Sequence, residues 1–187
     1  MNHYIDIRLR PDPELASHHI LAALYTRLHH ALVNLQATDI AVVFPRYDID
    51  QYTLGNHLRL CGPEAALVQL LATQWLHGIH DHVSVTALRA VPAHVTHRTL
   101  RRLQVKSNPE RLRRRLMKRH TLTEVQARER ISDRVAQRTS LPFVALRSAS
   151  SGQLFRLFLE LGPEEPQPCT GSFNTYGLSA TATIPWF

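Results

Sequence analysis

The order of strand-like and helix-like segments in the first 91 residues constrains the fold more than any other feature of this sequence. Apolar residues recur with a period of two in the strand-like segments and at helical spacing in the others. Strands are predicted at residues 4–9, 40–44, 57–60 and 82–91, and helices at residues 13–35 and 63–76. This order is typical of a ferredoxin-like βαββαβ domain, in which two helices cover one face of an antiparallel sheet. We therefore predict an α+β fold whose first domain spans residues 1–94.

A second α+β region is predicted after Pro92, over residues 95–187, because the composition changes there. Asn108 followed by Pro109 predicts the start of a helix that continues to about His120. The remaining predicted elements are a short helix after the capping-box pattern Thr121–Glu124 and strands at residues 143–148, 154–160 and 179–184.

Positive charge is concentrated in one stretch of the chain. The formal net charge is +7 and the sequence pI is about 10.1. Between Arg98 and Arg119 there are ten Lys or Arg residues and a single acid, Glu110, so the rest of the chain is slightly acidic. A focused basic segment on a nearly neutral body predicts a docking site for a polyanion.

The predicted helix after Pro109 places five cationic side chains within one arc of roughly 140°. These are Arg111, Arg114, Arg115, Lys118 and Arg119. A solvated helix face is the alternative, but such a face normally mixes charges of both signs. Arg and Lys in this arrangement suit phosphate groups. Arg102 and Gln104, two apart on an extended segment, share one face and could pair with guanine and adenine edges.

RNA cleavage without a metal ion requires few protein groups, because the 2′-OH of the substrate can attack the adjacent phosphate. A histidine is the natural base for that proton. The chain has 12 histidines, and the neighbours His29 and His30 lie at the edge of the buried stripe of the first helix. The pattern favours either of them over a deeply buried residue without choosing between the two.

Ser148, Ser150 and Ser151 lie at the end of a predicted strand beside Gly152. This pattern is as typical of a polar loop cap as of a phosphate-binding turn. Phe155 begins the next strand, where it could belong to the core or stack on a base.

No metal site or cofactor is predicted. The cluster His77–His82 matches no zinc-binding spacing and spans a helix end and a strand start, so its side chains should diverge. Cys61 and Cys169 are not in a CxxC pair, and neither a signal peptide nor a membrane-spanning run is recognisable. We therefore expect a soluble cytoplasmic protein.

Five segments together resemble the CRISPR-associated endoribonuclease of subtype I-F, which processes precursor CRISPR RNA. They are MNHYIDIRLRPDPE, LHHALV, RRLQVKSNPERLRRRLMKRH, LPFVALRSASSGQLFRLF and YGLSATATIPWF. The resemblance extends nearly from end to end of the chain. It implies metal-independent cleavage at the base of the repeat stem-loop, which yields a 2′,3′-cyclic phosphate and a 5′-OH.

The resemblance also implies roles for individual residues. His29 would take the 2′-OH proton, Ser148 would position that hydroxyl, and Tyr176 would orient the histidine. Ser150 would lie near the scissile phosphate and Phe155 would stack at the base of the stem. The residues implied in binding the stem's major groove are Arg102, Gln104, Arg114, Arg115, Lys118, Arg119 and His120. Such a protein keeps its hairpin product bound and joins a surveillance complex with other CRISPR-associated proteins.

Two alternatives remain open from the sequence. A non-catalytic stem-loop binder would bind RNA without cutting it, and a duplex DNA-binding protein would bind a DNA hairpin equally well. His30 duplicates the imidazole beside His29, so it could also substitute for it.

Overall fold

The computed structural model describes residues 1–104, 109–131, 140–148 and 151–187. Its helices are α1 (Ser17–Leu35), α2 (Glu64–Ala72), α3 (Pro109–His120) and α4 (Glu124–Arg130), with a 3-10 turn at His80–His82. Its strands are β1 (His3–Leu9), β2 (Ala41–Val43), β3 (His57–Gly62), β4 (Val83–Val85), β5 (Arg89–Ala90), β6 (Thr96–Arg98), β7 (Leu100–Leu103), β8 (Phe143–Arg147), β9 (Leu154–Leu161) and β10 (Ile184–Trp186). Helices and antiparallel sheets together confirm the α+β class. None of the described helices is long and apolar enough to cross a bilayer.

The chain divides into two compact units, of which one combines two separate segments of the sequence and the other is a single segment. Unit 1 combines Met1–Leu103 with Leu141–Phe187, and unit 2 is Gln104–Ser140. Whether residues 1–94 form an independent domain stays a prediction.

The first sheet of unit 1 has the strand order β2-β3-β1-β4, and β5 also pairs with β1. All of these pairs are antiparallel. Ile5 and Ile7 of β1 are fully buried, as are Leu24 and Leu28 of α1. Apolar residues at alternate positions of β1 and at helical spacing in α1 therefore form the two sides of one apolar core.

The second sheet of unit 1 has the order β7-β9-β8, and a separate two-stranded sheet pairs β10 with β6. Val144 and Leu146 of β8 are buried, as are Leu157 and Leu159 of β9. Helix α1 packs against β8 as well as against the first sheet. One helix is thus shared by both sheets.

Four predicted boundaries were wrong, and local backbone geometry and hydrogen bonds give the reasons. Helix α2 ends at Ala72 rather than at residue 76, and Gln74 has a left-handed backbone just beyond it. Helix α1 begins at Ser17 rather than Pro13, because the Asp12 side chain accepts from the amides of Glu14 and Leu15 in a separate turn. The predicted strand over residues 82–91 is split into β4 and β5. A register shift of one residue separates them, so the edge strand carries a bulge opposite β1.

The C-terminal strand is shorter than predicted and begins at Ile184 rather than near Ser179. The Ser179 hydroxyl accepts from the amides of Thr181 and Ala182 at 3.3 and 3.0 Å. These bonds form a turn, so the chain becomes extended only beyond it.

Unit 2 contains α3 and α4. The bounds of α3, Pro109–His120, confirm the prediction from Asn108-Pro109. The capping box of α4 is formed by Thr123 and Gln126, not by Thr121 and Glu124. The Thr123 amide donates to Gln126 Oε1 at 3.0 Å.

A buried charged cluster lies on the first sheet of unit 1. Arg59 Nε donates to Asp6 Oδ1 at 2.7 Å, and His57 Nε2 lies 2.9 Å from the same oxygen. Burial alone would raise the pKa of the Asp6 carboxyl, but Arg59 and His57 together hold that pKa below its usual value. Burial lowers the pKa of His57, although Asp6 opposes this shift.

We predict that the free energy of unfolding decreases as the pH falls below about 6.5, the ordinary pKa of histidine. Both pKa values are depressed in the folded state, so their contribution is complete above the unfolded values and is lost on acidification. A pKa shift of one unit corresponds to about 1.4 kcal/mol. Urea unfolding between about pH 8 and pH 4 measures the effect. His57→Gln should flatten the upper part of the curve, and an unchanged curve would contradict this assignment.

Candidate active site

His29 of α1 is fixed by two contacts with the loop that precedes β10. Its Nδ1 lies 2.8 Å from the carbonyl oxygen of Thr175. Its ring stacks on the Tyr176 ring with 3.9 Å between centroids and 2° between planes. A carbonyl oxygen only accepts, so Nδ1 must carry the hydrogen. The neutral imidazole therefore keeps its lone pair on Nε2, the atom that can take a proton from a substrate.

The loop that contacts His29 is itself ordered by its own sequence. Asn174 Oδ1 accepts from the amides of Tyr176 and Leu178 at 2.8 and 3.2 Å. Gly177 has φ +68, and its carbonyl accepts from the Val42 amide at 2.9 Å. A Cβ on Gly177 would lie 2.6 Å from Val42 Cγ2, so glycine is required by both conformation and space.

An open cavity of about 350 Å³ surrounds His29. It is lined by Thr26, His29, His30, Arg102, Leu146, Arg147, Ser148, Phe155 and Tyr176. Six residues singled out from the sequence, in four distant segments, are thus brought to one place in unit 1. They are His29, His30, Arg102, Ser148, Phe155 and Tyr176.

Ser148 follows β8 at the edge of this cavity. Its amide donates to the Gln153 carbonyl, and its Oγ accepts from the Ser151 amide at 3.3 Å. The Ser148 hydroxyl therefore accepts a hydrogen bond within its own loop, and the residue also lines the cavity. Ser150, the neighbouring candidate, lies outside the described residues.

Phe155 and Arg102 are neighbours that supply an apolar and a cationic side chain to the cavity wall. The Arg102 guanidinium carbon lies 5.8 Å from the centroid of the Phe155 ring. Phe155 packs partly against the core, while Arg102 is exposed. Phe155 therefore packs partly in the core and also lines the cavity, and its stacking on a base stays a prediction.

In unit 2, the cationic side chains of α3 differ in their exposure. The exposed cationic or polar side chains are Arg114, Arg115, Lys118, Arg119 and His120. Arg113 is instead buried, and its Nε donates to the carbonyl of Ile131 at 2.8 Å. Gln104 is also exposed, and the side chain of Arg111 lies outside the described part of the chain.

The histidine cluster near residue 80 does not converge. His82 Nδ1 lies 3.1 Å from Asp12 Oδ2, whereas His77 and His80 line a different depression. Within the described ranges, no group of three His, Cys, Asp or Glu side chains is placed to hold a metal ion.

Three residues that order this site were not predicted from the sequence. Tyr25 reads as an ordinary core position of α1, although its hydroxyl donates to the Tyr176 carbonyl at 2.8 Å. Asn174 and Thr175 precede Gly177, and this Asn-to-Gly pattern is a turn signal that could have directed attention to the loop. Thr175 contributes only a backbone carbonyl, for which the sequence carries no signal.

The chain matches known proteins over its whole length. The family model described as CRISPR-associated protein (Cas_Csy4) covers residues 4–187. A protein of Pseudomonas aeruginosa named CRISPR-associated endonuclease Cas6/Csy4 is 48% identical over 187 residues, which is 100% of each chain. An Escherichia coli protein of the same name is 46% identical, again over 100% of each chain.

We predict that Gly177→Ala destabilises the protein more than Gly152→Ala does. Both glycines have left-handed backbones, so both substitutions incur a strain of about 1–2 kcal/mol. Only the Gly177 substitution meets Val42, whereas nothing lies within 4 Å of a Cβ at Gly152. Chemical denaturation should give a further loss of about 1–3 kcal/mol for Gly177→Ala. Equal losses in the two variants would refute the close approach to Val42.

Proposed function

The chain belongs to the Csy4 family of CRISPR-associated proteins, and from this premise we propose that it cleaves precursor CRISPR RNA at the base of the repeat stem-loop. Two relatives that match its full length are named endonucleases. The observation that carries the proposal is the bond from His29 Nδ1 to the Thr175 carbonyl. It leaves Nε2 as a proton acceptor on a residue that lines an open cavity.

The proposed reaction is a transesterification of the RNA backbone. His29 Nε2 removes the proton of a 2′-OH, and the 2′ oxygen forms a bond to the adjacent phosphorus. The bond from phosphorus to the 5′ oxygen breaks, and that oxygen takes a proton from water and leaves as a 5′-OH, while the protonated His29 returns its proton to solvent. The other product is a 2′,3′-cyclic phosphate. Because the RNA supplies the nucleophile and His29 accepts its proton, no metal ion is needed in this scheme.

The other cavity residues have supporting roles in this proposal. Ser148 positions the 2′-OH, and Tyr176 fixes the plane of the His29 ring by stacking on it. Ser150 is proposed to lie near the scissile phosphate. Phe155 stacks on the last base pair of the stem, where its exposed edge adjoins the cavity. Arg102, beside Phe155, reads a base in the major groove of the stem.

Polar and cationic side chains of unit 2 are proposed to bind the stem. Gln104 reads a base in the major groove. The residues that contact phosphates are Arg111, Arg114, Arg115, Lys118, Arg119 and His120. The major groove of A-form RNA is normally too narrow for such a helix. A short hairpin stem that is open at one end relaxes this restriction.

Three further parts of the proposal concern architecture and partners. The order β2-β3-β1-β4, together with the alternation of strands and helices, supports a ferredoxin-like domain in residues 1–94. We propose that the hairpin product stays bound and that the protein joins other CRISPR-associated proteins in a cytoplasmic surveillance complex.

We predict that His29→Ala binds the repeat hairpin with nearly unchanged affinity but cleaves it about 100-fold to 10000-fold more slowly, because a positioned base typically contributes this much. Single-turnover cleavage in EDTA measures the rate, and gel shifts measure affinity. His30→Ala is the matched control, since His30 is its exposed neighbour in the same cavity.

If both variants lose cleavage activity to a similar extent, or if His29→Ala still cleaves the hairpin, we would conclude that His30 or another group acts as the base. Binding without cleavage by the unmodified protein would identify a stem-loop binder instead. Equal affinity for a DNA hairpin would favour a DNA-binding protein.

We predict that Arg115→Gln weakens hairpin binding and lowers the slope of log Kd against log salt by about 1, because one phosphate contact is lost. Arg128→Gln is the control. Arg128 is an exposed arginine of α4 that lies 3.4 Å from Glu124. Its loss should leave the slope unchanged. Equal slopes for all three proteins would contradict phosphate binding by α3.

A further inference from the structure

We propose that Tyr25 is a positioning residue for the catalytic base, because its hydroxyl fixes the loop whose carbonyl selects the tautomer of His29. Asn174, a residue of that loop, acts with it by accepting hydrogen bonds from the same peptide groups. The inference rests on the proposed function of His29, and it adds two residues that do not touch the RNA.

Tyr25 and His29 contact consecutive carbonyls of one loop. They lie four residues apart in α1, so they are on the same side of the helix. Tyr25 Oη donates to the Tyr176 carbonyl at 2.8 Å, and His29 Nδ1 donates to the Thr175 carbonyl at 2.8 Å. One turn of helix thereby sets the position of two neighbouring peptide groups.

Asn174 accepts hydrogen bonds from the amides of the same two peptide groups. The peptide that carries the Thr175 carbonyl also carries the Tyr176 amide, which donates to Asn174 Oδ1 at 2.8 Å. The next peptide carries the Tyr176 carbonyl and the Gly177 amide, which donates to the Asn174 carbonyl at 2.8 Å. Because peptide groups are planar, a bond at each end fixes both planes. The oxygen that faces His29 is thus fixed through its own peptide.

The Tyr25 hydroxyl is suited to this task by its surroundings. The side chain is fully buried, and its ring lies nearly parallel to that of Tyr176, with 6.3 Å between centroids. Burial raises the pKa of Tyr25 far above its ordinary value, so the hydroxyl remains a donor at any working pH. The carbonyl of Tyr176 can only accept, so the direction of this bond is fixed.

Loss of the Tyr25 bond should act on the chemistry of His29. A neutral imidazole carries its hydrogen on one nitrogen, and the hydrogen-bond partner decides which one. If the Thr175 carbonyl moves away, the tautomer with hydrogen on Nε2 becomes populated. That tautomer cannot accept the 2′-OH proton, so the cleavage rate falls while RNA binding is retained.

The test compares Tyr25→Phe with Tyr47→Phe in the full-length protein. Tyr47 Oη also donates to a backbone carbonyl of unit 1, that of Leu159 at 3.1 Å, so its loss controls for removing one such bond. We expect Tyr25→Phe to bind the hairpin normally and to cleave it about 10-fold to 100-fold more slowly. Tyr47→Phe should cleave at the unmodified rate. Nitrogen NMR of the His29 ring, without RNA, should show hydrogen on Nδ1 in the unmodified protein and a mixture in Tyr25→Phe.

A conservative pair at the second residue distinguishes positioning from general stability. Asn174→Ala should repeat the tautomer shift and the loss of rate, and Asn174→Asp, which retains the accepting oxygen, should restore most of both. Unchanged ring-nitrogen signals and unchanged cleavage in Tyr25→Phe would overturn the inference. Full cleavage by His29→Ala would instead refute the proposed role of His29 as the base, and the NMR comparison would still decide whether Tyr25 sets the tautomer.

Discussion

The hydrogen bond between His29 Nδ1 and the Thr175 carbonyl is the interaction on which the site depends. It joins residues 146 positions apart in the chain. This bond forms because α1 packs on both sheets of unit 1 and the loop that precedes β10 contacts His29 of that helix. The contact of Gly177 with Val42 anchors the loop to the first sheet. The fold of unit 1 is therefore the means by which a single tautomer is imposed on one imidazole.

The groups proposed to contact the phosphates of the stem belong to a different unit from those proposed to cut the RNA. The exposed cations of α3 belong to unit 2, whereas the cavity around His29 belongs to unit 1. Phosphate contacts give affinity that depends on salt, while proton transfer depends on geometry at the scale of a single bond. Arg113 illustrates the division within α3, because it is buried against the Ile131 carbonyl beside exposed cationic neighbours. The Arg113 side chain therefore contributes to the internal packing of unit 2 and is not part of its exposed cationic surface.

Sequence patterns predicted what depends on local signals. The α+β class follows from the alternation of periodic segments, and the bounds of α3 follow from Asn108-Pro109. Side-chain hydrogen bonds that compete with these signals explain the failures, as at Asp12, where a turn delays α1. Tyr25 and Thr175 could not be recognised, because one is an ordinary apolar position of a helix and the other acts through its backbone. Helical spacing did not distinguish His29 from His30, and the family resemblance named His29. The structure gives His29, and not His30, the bond to the Thr175 carbonyl and the stacking on Tyr176.

The most direct test of the central claim uses a repeat hairpin with a single 2′-deoxy nucleotide at the cut site, compared in EDTA with the all-RNA hairpin. The account predicts equal binding of the two substrates, cleavage of the all-RNA hairpin to a 2′,3′-cyclic phosphate, and no cleavage of the deoxy substrate. Cleavage of the deoxy substrate at the same position would contradict the account, because the nucleophile would then be a group other than the 2′-OH.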